Sequence, residues 1–440
     1  MSSKKIVLFF LIFSIFSFLS AKTYKLTLKQ AERMAIEHNP EILQEVQKLE
    51  QAKSRMNMSY SAYFPSIDLS GYRVMKEKVM TIIMPSFIPG QPPQKIEMDF
   101  TRNYQMTLQF AQPLFTGGAI FFNSKLATAL EKAQESLLQA KKNEIRAKTK
   151  TVFYSIILLK KSREIVLNGL KFAKDTKEKI EVMYSQGLVK KLDLLRAENK
   201  VREMEAKLKE IDSKLFEAKN NLKNIIGISL KDDVEIIGQI KEYPAELNPE
   251  LLNKQMETNN PILKSLFQQK KVSSYNLKLA YSKFLPTIAI GGQYNFRGDS
   301  LSKFSDWDNY YAINLTLSFS IFKGFSKKFN LTMAKAQKEE TEIKVAAYEK
   351  NMKATLMNLI KKNNYLLEKI KIAKDNFENT KEELEIAKTS YKEGLISYTD
   401  LELIENQNLS AELNYYQSIF ELYTNIFTIE TFISDTIIKF

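Results

Sequence analysis

Four stretches of this chain alternate apolar and polar side chains almost without error, and they constrain the fold more than any other feature. They predict strands at about residues 66–75, 101–112, 287–297 and 309–320. Because successive side chains of a strand point to opposite faces, each strand has one apolar and one polar surface. A tilted strand of about 9–11 residues is long enough to cross a bilayer. The apolar residues expected to face lipid are Tyr104, Met106, Leu108, Phe110, Ile313, Leu315, Leu317 and Phe319.

Four strands are too few to close a barrel. In hydrocarbon, the N–H and C=O groups of an open sheet edge find no water to bind, so an open edge is not tolerated there. If these strands cross a membrane, several chains must therefore contribute to one barrel. The alternative is that the same side chains pack a small soluble β-layer.

The first 21 residues have the pattern of a secretory signal peptide. Lys4 and Lys5 precede an apolar run that begins at Ile6, and Ser20-Ala21 offers a small cleavage site. The run is shorter than the roughly 20 residues that a spanning helix needs. We therefore expect an exported chain. The absence of cysteine excludes disulfides, thiolate metal ligands and a cysteine nucleophile.

The net charge of +14 has two interpretations. A basic chain can bind nucleic acid, but export and the interleaving of lysine with glutamate along helices favour a solvated surface. The only histidine, His38, has no metal-ligand company in the sequence, and no glycine-rich phosphate loop follows a strand. The sequence thus predicts no catalytic residue, metal, cofactor or nucleic-acid partner.

The chain contains an internal repeat. Asn39-Pro40 recurs as Asn260-Pro261, an offset of 221, and Gly187 recurs as Gly394, an offset of 207. The difference falls in the first inter-strand loop, roughly residues 76–100, which is rich in proline and is expected at the surface. We therefore predict a signal peptide at 1–21 and two repeats, 22–230 and 231–440, that fold together as one unit. Each repeat is expected to contain a helix, two strands, a long helix and a return helix.

The predicted helices are unusually long. From 118 to 184 the sequence has no proline, and its apolar residues keep a seven-residue step that runs from Leu138 to Ile180. The second repeat keeps the same register from Val345 to Ala373. Such a period implies left-handed supercoiled packing between helices. The narrow seams suit a hollow wall of helices, although an ordinary antiparallel coiled coil has the same period.

In this order of elements, the chain resembles the TolC-like outer membrane efflux proteins. The resemblance extends over essentially the whole mature chain, and its motifs occur in the same order in both repeats. The motifs that carry it are Leu26-Thr27-Leu28 with Ala31 and Asn39-Pro40; Tyr63-Phe64-Pro65; Pro113-Leu114-Phe115-Thr116-Gly117-Gly118; Tyr184-x-x-Gly187 with Leu192-Asp193-Leu194-Leu195; and Tyr391-x-x-Gly394 with Asp400-Leu401.

The resemblance implies a mainly α fold with membrane β-structure. Long antiparallel coiled-coil helices of three chains would form an α-barrel in the periplasm, and four strands per chain would form a shared 12-stranded barrel in outer-membrane lipid. Such a homotrimer is a passive exit duct that works with a periplasmic adaptor and an inner-membrane pump. A type I protein secretion duct has the same architecture. A soluble periplasmic coiled-coil scaffold is the alternative from another class.

The resemblance also assigns roles at the two helix-to-helix turns. Asp400, Tyr391 and Asp193 are expected at the pore gate, although an aspartate near a helix start also has the plain role of meeting the helix dipole. Well-studied relatives have an arginine and a second acidic residue where this chain has Ile396 and Leu403. Closure is therefore expected to depend on apolar contacts of Leu395 and Ile396. The residues expected to contact the adaptor are Gln186, Gly187, Leu188, Val189, Glu393, Gly394, Leu395 and Ile396.

Overall fold

The computed structural model describes residues 22–73, 80–98, 104–243, 246–298 and 300–437. The signal peptide, the outer end of the first predicted strand and the start of the second lie outside these ranges. The strands, in chain order, are β1 Thr23–Leu26, β2 Ser66–Arg73, β3 Met80–Met84, β4 Gln94–Met98, β5 Tyr104–Phe115, β6 Asp233–Ile236, β7 Thr287–Gly298 and β8 Asp308–Ser318. The helices are α1 Leu28–His38, α2 Pro40–Ser61, α3 Ala119–Ser185, α4 Lys191–Ile226, α5 Pro249–Asn259, α6 Pro261–Ser282, α7 Ser326–Lys392 and α8 Tyr398–Ile433.

These eight helices form four pairs of equal length. Helices α1 and α5 have 11 residues each, α2 and α6 have 22, α3 and α7 have 67, and α4 and α8 have 36. At 1.5 Å per residue, a helix of 67 residues is about 100 Å long. The pairs start at the offsets of 221 and 207 that the sequence repeat has.

An asparagine joint ends the first helix of each repeat. Proline lacks a backbone N–H and is favoured at the first position of a helix, so Pro40 starts α2 and Pro261 starts α6. The Asn39 side chain accepts a hydrogen bond from the Glu41 N–H at 2.9 Å and donates one to the Ile225 carbonyl, also at 2.9 Å. Each joint is therefore tied to the end of a return helix, because Asn260 donates to Phe432 O at the same distance.

The four predicted strands form one antiparallel sheet in the order β2-β5-β7-β8. The register pairs Leu69 with Leu108, Leu108 with Tyr294, and Tyr294 with Tyr311. Directly opposed residues lie on the same face, so the apolar sets of all four strands share one face of the sheet. The other face is polar, and there Thr107 Oγ1 donates to Asn295 Oδ1 at 2.7 Å.

Two small sheets were not fully predicted. Strands β3 and β4 form an antiparallel hairpin inside the predicted inter-strand loop. Prolines suggested a loop throughout, but Pro85, Pro89, Pro92 and Pro93 all lie in the turn between these strands. Strand β6, which lies between the return helix of the first repeat and the first helix of the second, pairs in parallel with β1.

The fold comprises two compact units. The first contains the described residues up to Lys48, those of Glu135–Ser265 and those from Ala347 to 437, and it includes the ends of the long helices at both turns. One of its apolar clusters packs Leu356 and Ile360 of α7 against Ile429 of α8. The second unit, Leu49–Gln134 with Leu266–Ala346, contains the four-stranded sheet.

In the described ranges, no helix combines sufficient length with sufficient apolar character to cross a membrane.

Candidate functional site

The predicted gate and adaptor residues lie at two turns of the first unit. Residues 186–190 connect α3 to α4, and residues 393–397 connect α7 to α8. In the first turn the Leu188 N–H donates to Met183 O and the Gly187 N–H donates to Tyr184 O, both at 2.9 Å. The second turn repeats this pattern, with Leu395 bound to Ser390 O at 2.8 Å. The same two backbone hydrogen bonds therefore end both long helices.

Glycine is required at both turns by backbone conformation. Gly187 has φ 73° and Gly394 has φ 77°, in the left-handed region where a side chain is strained. A Cβ atom at either position would meet no atom within 4 Å. Backbone conformation, rather than a close neighbour among the described residues, therefore explains why both turns have glycine.

The two turns differ in how the next helix begins. At α8 the Ser397 Oγ accepts a hydrogen bond from the Asp400 N–H at 3.2 Å, and the Asp400 carboxylate accepts one from the Ser397 N–H at 3.1 Å. This reciprocal pair is a capping box. Lys190, at the same point before α4, makes no side-chain cap bond.

Asp400, which was predicted at the gate, has a structural role that the sequence only partly indicated. The Ser397 hydroxyl donates to its carboxylate at 2.7 Å, and this bond, followed by the bond from the Ser397 N–H, lowers the pKa of Asp400. Asp400 itself is exposed. Its charge is therefore retained at the start of α8 and remains available to solvent.

The structure brings Tyr391 and Asp193 together. Burial raises the pKa of Tyr391, and the charge of Asp193 raises it further. The Tyr391 ring lies 6.4 Å from the ring of Tyr398, measured between centroids. Tyr391 packs against two apolar clusters, one around Ile180 and one around Leu401. It therefore joins the packing of both turns.

Among the residues predicted to make apolar closure, two behave differently. Ile396 packs onto the cluster of Leu384, Ala387 and Leu401, so it stabilises its own turn. Leu395 is 71% exposed and Leu188 is 67% exposed. These two leucines are thus free to contact another molecule, one at each turn.

Two polar contacts between α4 and α8 were missed by sequence reasoning. Arg196 Nη1 donates to Thr399 Oγ1 at 2.6 Å, and Lys200 Nζ donates to Asn406 Oδ1. Lysines were interpreted as surface residues, but Lys150, Lys200 and Lys223 are buried. Lysine also alternates with glutamate along exposed helix faces of this chain, so the sequence does not separate a buried lysine from an exposed one.

A groove of about 970 Å³ lies beside the turns in the first unit. It is lined by Phe172, Val182 and Met183 of α3 and by Lys388, Tyr391 and Lys392 of α7. Its lining combines apolar and charged side chains. In the described part of the chain, no group of His, Asp and Glu could hold a metal ion.

In the second unit, the residues predicted to face lipid share the apolar face of the sheet. Leu315 is 69% exposed, and Ile313 and Leu317 are exposed to a similar degree. Phe319, also exposed, lies one residue beyond the end of β8. β2 and β8 are the outer strands, and within the described ranges no strand pairs with their free edges.

Known proteins share this sequence pattern and fold. The sequence matches the profile described as outer membrane efflux protein over residues 32–228 and 252–423. No curated protein sequence matches significantly. Similar solved structures include three outer membrane proteins. The outer membrane protein VceC of Vibrio cholerae is 16% identical, with a TM-score of 0.77, over 93% of this chain and 97% of that one.

The other two are outer membrane channels. CmeC of Campylobacter jejuni is 15% identical, with a TM-score of 0.78, over 92% of this chain and 85% of that one. The open state of MtrE of Neisseria gonorrhoeae is 16% identical, with a TM-score of 0.74, over 93% of this chain and 89% of that one. These likenesses confirm the predicted fold of long paired helices with four strands of the chain in one sheet.

Proposed function

Because the chain belongs to the outer membrane efflux protein family, we propose that three copies of it form the exit duct of a tripartite efflux system in the outer membrane. The duct is passive. A periplasmic adaptor and an inner-membrane pump deliver the substrate, and the helical part of the trimer conducts it to a barrel in the lipid.

The observation that carries this proposal is the open sheet with one apolar face. Each neighbouring pair in β2-β5-β7-β8 is antiparallel, so β8 runs opposite to β2. The free edge of β8 can therefore pair with β2 of a second copy in the same antiparallel manner. Repeating this step through three copies gives a closed barrel of 12 strands without an open edge, as hydrocarbon requires.

The two faces of the sheet differ in polarity, and this difference determines which of them can contact lipid. Leu108, Ile313 and Leu315 lie on the face whose side chains are exposed and apolar. On the opposite face Tyr72 OH donates to Gln105 Oε1 at 2.7 Å, so polar side chains there bind one another. A barrel with the apolar face outward has a lipid-compatible surface and a polar lumen, as outer-membrane barrels do.

Helix α7 supports association of the same copies. Met357, Tyr365, Ile372 and Ile386 are exposed on this helix although all four are large and apolar. Tyr365, Ile372 and Ile386 are separated by 7 and 14 residues, which places them on one stripe of a supercoiled helix. Contact with a neighbouring copy in the trimer would cover this stripe.

The two turns form the periplasmic end in this proposal. Tyr391, Asp193 and Asp400 belong to the gate, and the adaptor contacts the turns around Leu188 and Leu395. The exposure of both leucines and the neighbouring groove support this assignment. Asp400 has a lowered pKa and therefore carries its negative charge at neutral pH, where it can attract cations.

Planar bilayer recordings test the proposal. The detergent-purified mature protein should insert and give stepwise conductance, and Asp400→Ala should weaken block by divalent cations. Glu217→Ala, which removes an exposed carboxylate in the middle of α4, is the control and should leave block unchanged. A protein that stays soluble without detergent and never conducts would refute the duct. Unchanged block in Asp400→Ala would remove Asp400 from the pore.

A further inference from the structure

Two polar contacts connect the return helices close to their first turns. Arg196 of α4 binds Thr399 of α8, and one helical turn farther along Lys200 binds Asn406. The interface around them is apolar, with Ala197, Met204, Leu401 and Leu409 buried. Apolar side chains alone would let one helix slide along the other, whereas a polar contact at a single level fixes the register.

Lys200 and Glu405 are charged residues at this buried interface. The Lys200 side chain is 2% exposed, and Glu405 is 8% exposed. Removing charged groups from water is costly unless other groups compensate for the lost solvation. Lys200 is compensated by Asn406 and by Glu203, whose carboxylate lies 3.3 Å from Lys200 Nζ.

Glu405 is surrounded by charges from all three helices that pack here. Lys200 and Glu203 face it from α4, Lys388 faces it from α7, and Glu402 lies on its own helix. Burial is the largest influence and raises the pKa of Glu405 to about 7, although Lys200 acts in the opposite direction. The side chain therefore changes charge near neutral pH while it is buried.

We propose that the contact of Lys200 with Asn406 and the buried carboxyl of Glu405 together form a pH-sensitive lock that holds α4 against α8 at the periplasmic end. This inference rests on the proposed function only in treating these turns as the gate. When Glu405 is protonated, its burial costs little and the two helices stay packed. When it is ionised, the packed state loses stability relative to an open state in which water reaches the carboxylate.

The direction of the pH effect follows from linkage. An exposed glutamate has a pKa of about 4.3, so the packed state binds the proton more tightly than the open state. Packing is thus most stable below that value, and its stability is lost as the pH rises through the pKa of the buried group. The difference of about 2.7 units corresponds to a roughly 500-fold change in the opening equilibrium over the full titration.

The first repeat supplies a matched control. Glu198 of α4 corresponds to Glu405 at the offset of 207, but it is only partly buried and lies 3.7 Å from the exposed Arg202. Glu412, seven residues beyond Glu405 on α8, also has a pKa raised by burial. A test must therefore separate Glu405 from both of these carboxylates.

Hydrogen exchange of the detergent-purified protein between pH 5.5 and 8.5 makes this separation. After correction for intrinsic rates, we expect protection of residues 191–206 and 398–410 to fall by tens of fold in the wild type as the pH rises. Glu405→Gln should keep the low-pH protection throughout. Lys200→Met should move the midpoint upward, and Lys200→Arg should restore it. Glu198→Gln and Glu412→Gln should titrate like the wild type.

Two outcomes would overturn the lock: no pH dependence in the wild type, or an unchanged transition in Glu405→Gln. Bilayer currents recorded over the same pH range test the proposed duct separately. If the wild type does not conduct at any pH, the duct fails whatever the exchange data show. If it conducts and Glu405→Gln exchanges like the wild type, the lock alone fails.

Discussion

At two pairs of matching positions the repeats have the same left-handed backbone conformation, but only the first repeat has glycine there. Gly118 and Gly227 have φ 82° and 72° in the first repeat. Their counterparts at the offset of 207 are Phe325 and Ser434, with φ 62° and 54°. A left-handed conformation costs a residue with a Cβ about 1–2 kcal/mol, whereas glycine adopts it freely. The second repeat therefore keeps the fold while carrying strain that the first repeat avoids.

The two repeats therefore have the same backbone conformation at these positions even where their residues differ. The asparagine joints are identical in their long-range bond, because Asn39 and Asn260 each donate to the end of a return helix at 2.9 Å. Where a side chain connects two elements, both repeats keep it. Where only conformation matters, the second repeat tolerates a worse residue.

The largest expected effect is at Gly227, where an added Cβ would come closer to another atom than at any other left-handed glycine of the described residues. A Cβ on Gly227 would lie 2.6 Å from the His38 carbonyl oxygen, so Gly227→Ala combines strain with overlap. We expect it to lower the free energy of unfolding by about 3 kcal/mol. Ser434→Ala should cost only about 1 kcal/mol, because it removes one hydrogen bond from Asn143 Nδ2. Urea unfolding followed by circular dichroism measures both. Similar losses in the two variants would refute the comparison.

The asparagine joints should respond equally. Asn39→Ala removes a helix cap and leaves the Ile225 carbonyl without its side-chain donor, and Asn260→Ala does the same at Phe432. We expect each variant to lose about 2 kcal/mol in the same unfolding experiment. A much smaller loss at one joint would show that the two repeats do not depend on it equally.

The two turns should respond unequally. Ser397→Ala removes the cap of α8 and should cost about 1 kcal/mol, whereas Lys190→Ala should cost almost nothing because Lys190 makes no cap bond. Hydrogen exchange in the first turn of each helix locates the effect.

The Ser397 effect should also depend on pH. The pKa of Asp400 is lowered in the fold, so its contribution is present above its ordinary value and is lost as the pH falls through the lowered one. The difference between wild type and Ser397→Ala should therefore shrink in acid. A difference of the same size in acid as at neutral pH would contradict the capping role of the Asp400 carboxylate, because only the bond from the Asp400 N–H to Ser397 Oγ is independent of its charge.

The smallest expected effect is a gain. Phe325→Gly relieves left-handed strain but removes an edge-to-face contact with Phe322, whose ring centroid is 5.3 Å away. We expect a stabilisation of about 0.5 kcal/mol after the greater backbone freedom of glycine is included. Gly118→Ala should be destabilising, since the new Cβ would lie 3.0 Å from the Phe122 ring. A destabilising Phe325→Gly would mean that packing outweighs strain.

The sequence was most informative where its periodicity was regular. Alternation at Tyr104 to Phe110 predicted both a strand and its face, and the seven-residue steps predicted helices that the structure shows with 67 residues. The hairpin of β3 and β4 was missed because prolines in its turn masked two short strands. In each case the strength of the periodic signal determined the result.

The polar interior of the turns was harder to predict. Lys200 and Glu405 belong to a sequence in which lysine and glutamate alternate along many exposed helix faces. A charged residue at a seam has the same local pattern as a solvated one, and only the packing of α4 against α8 distinguishes them. The capping role of Asp400 was easier to predict from the sequence, because Ser397 lies three residues before it, as in a capping box.

The central claim is that the sheet is completed by other copies of the chain. Because the natural sequence has no cysteine, Leu69→Cys on β2 can be combined with Ile313→Cys, Leu315→Cys or Leu317→Cys on β8. Oxidation in detergent should give covalent dimers and trimers for the pair in register, and Thr316→Cys, on the opposite face, should give none. A protein that stays monomeric with every pair, and sediments as a monomer, would contradict the shared barrel.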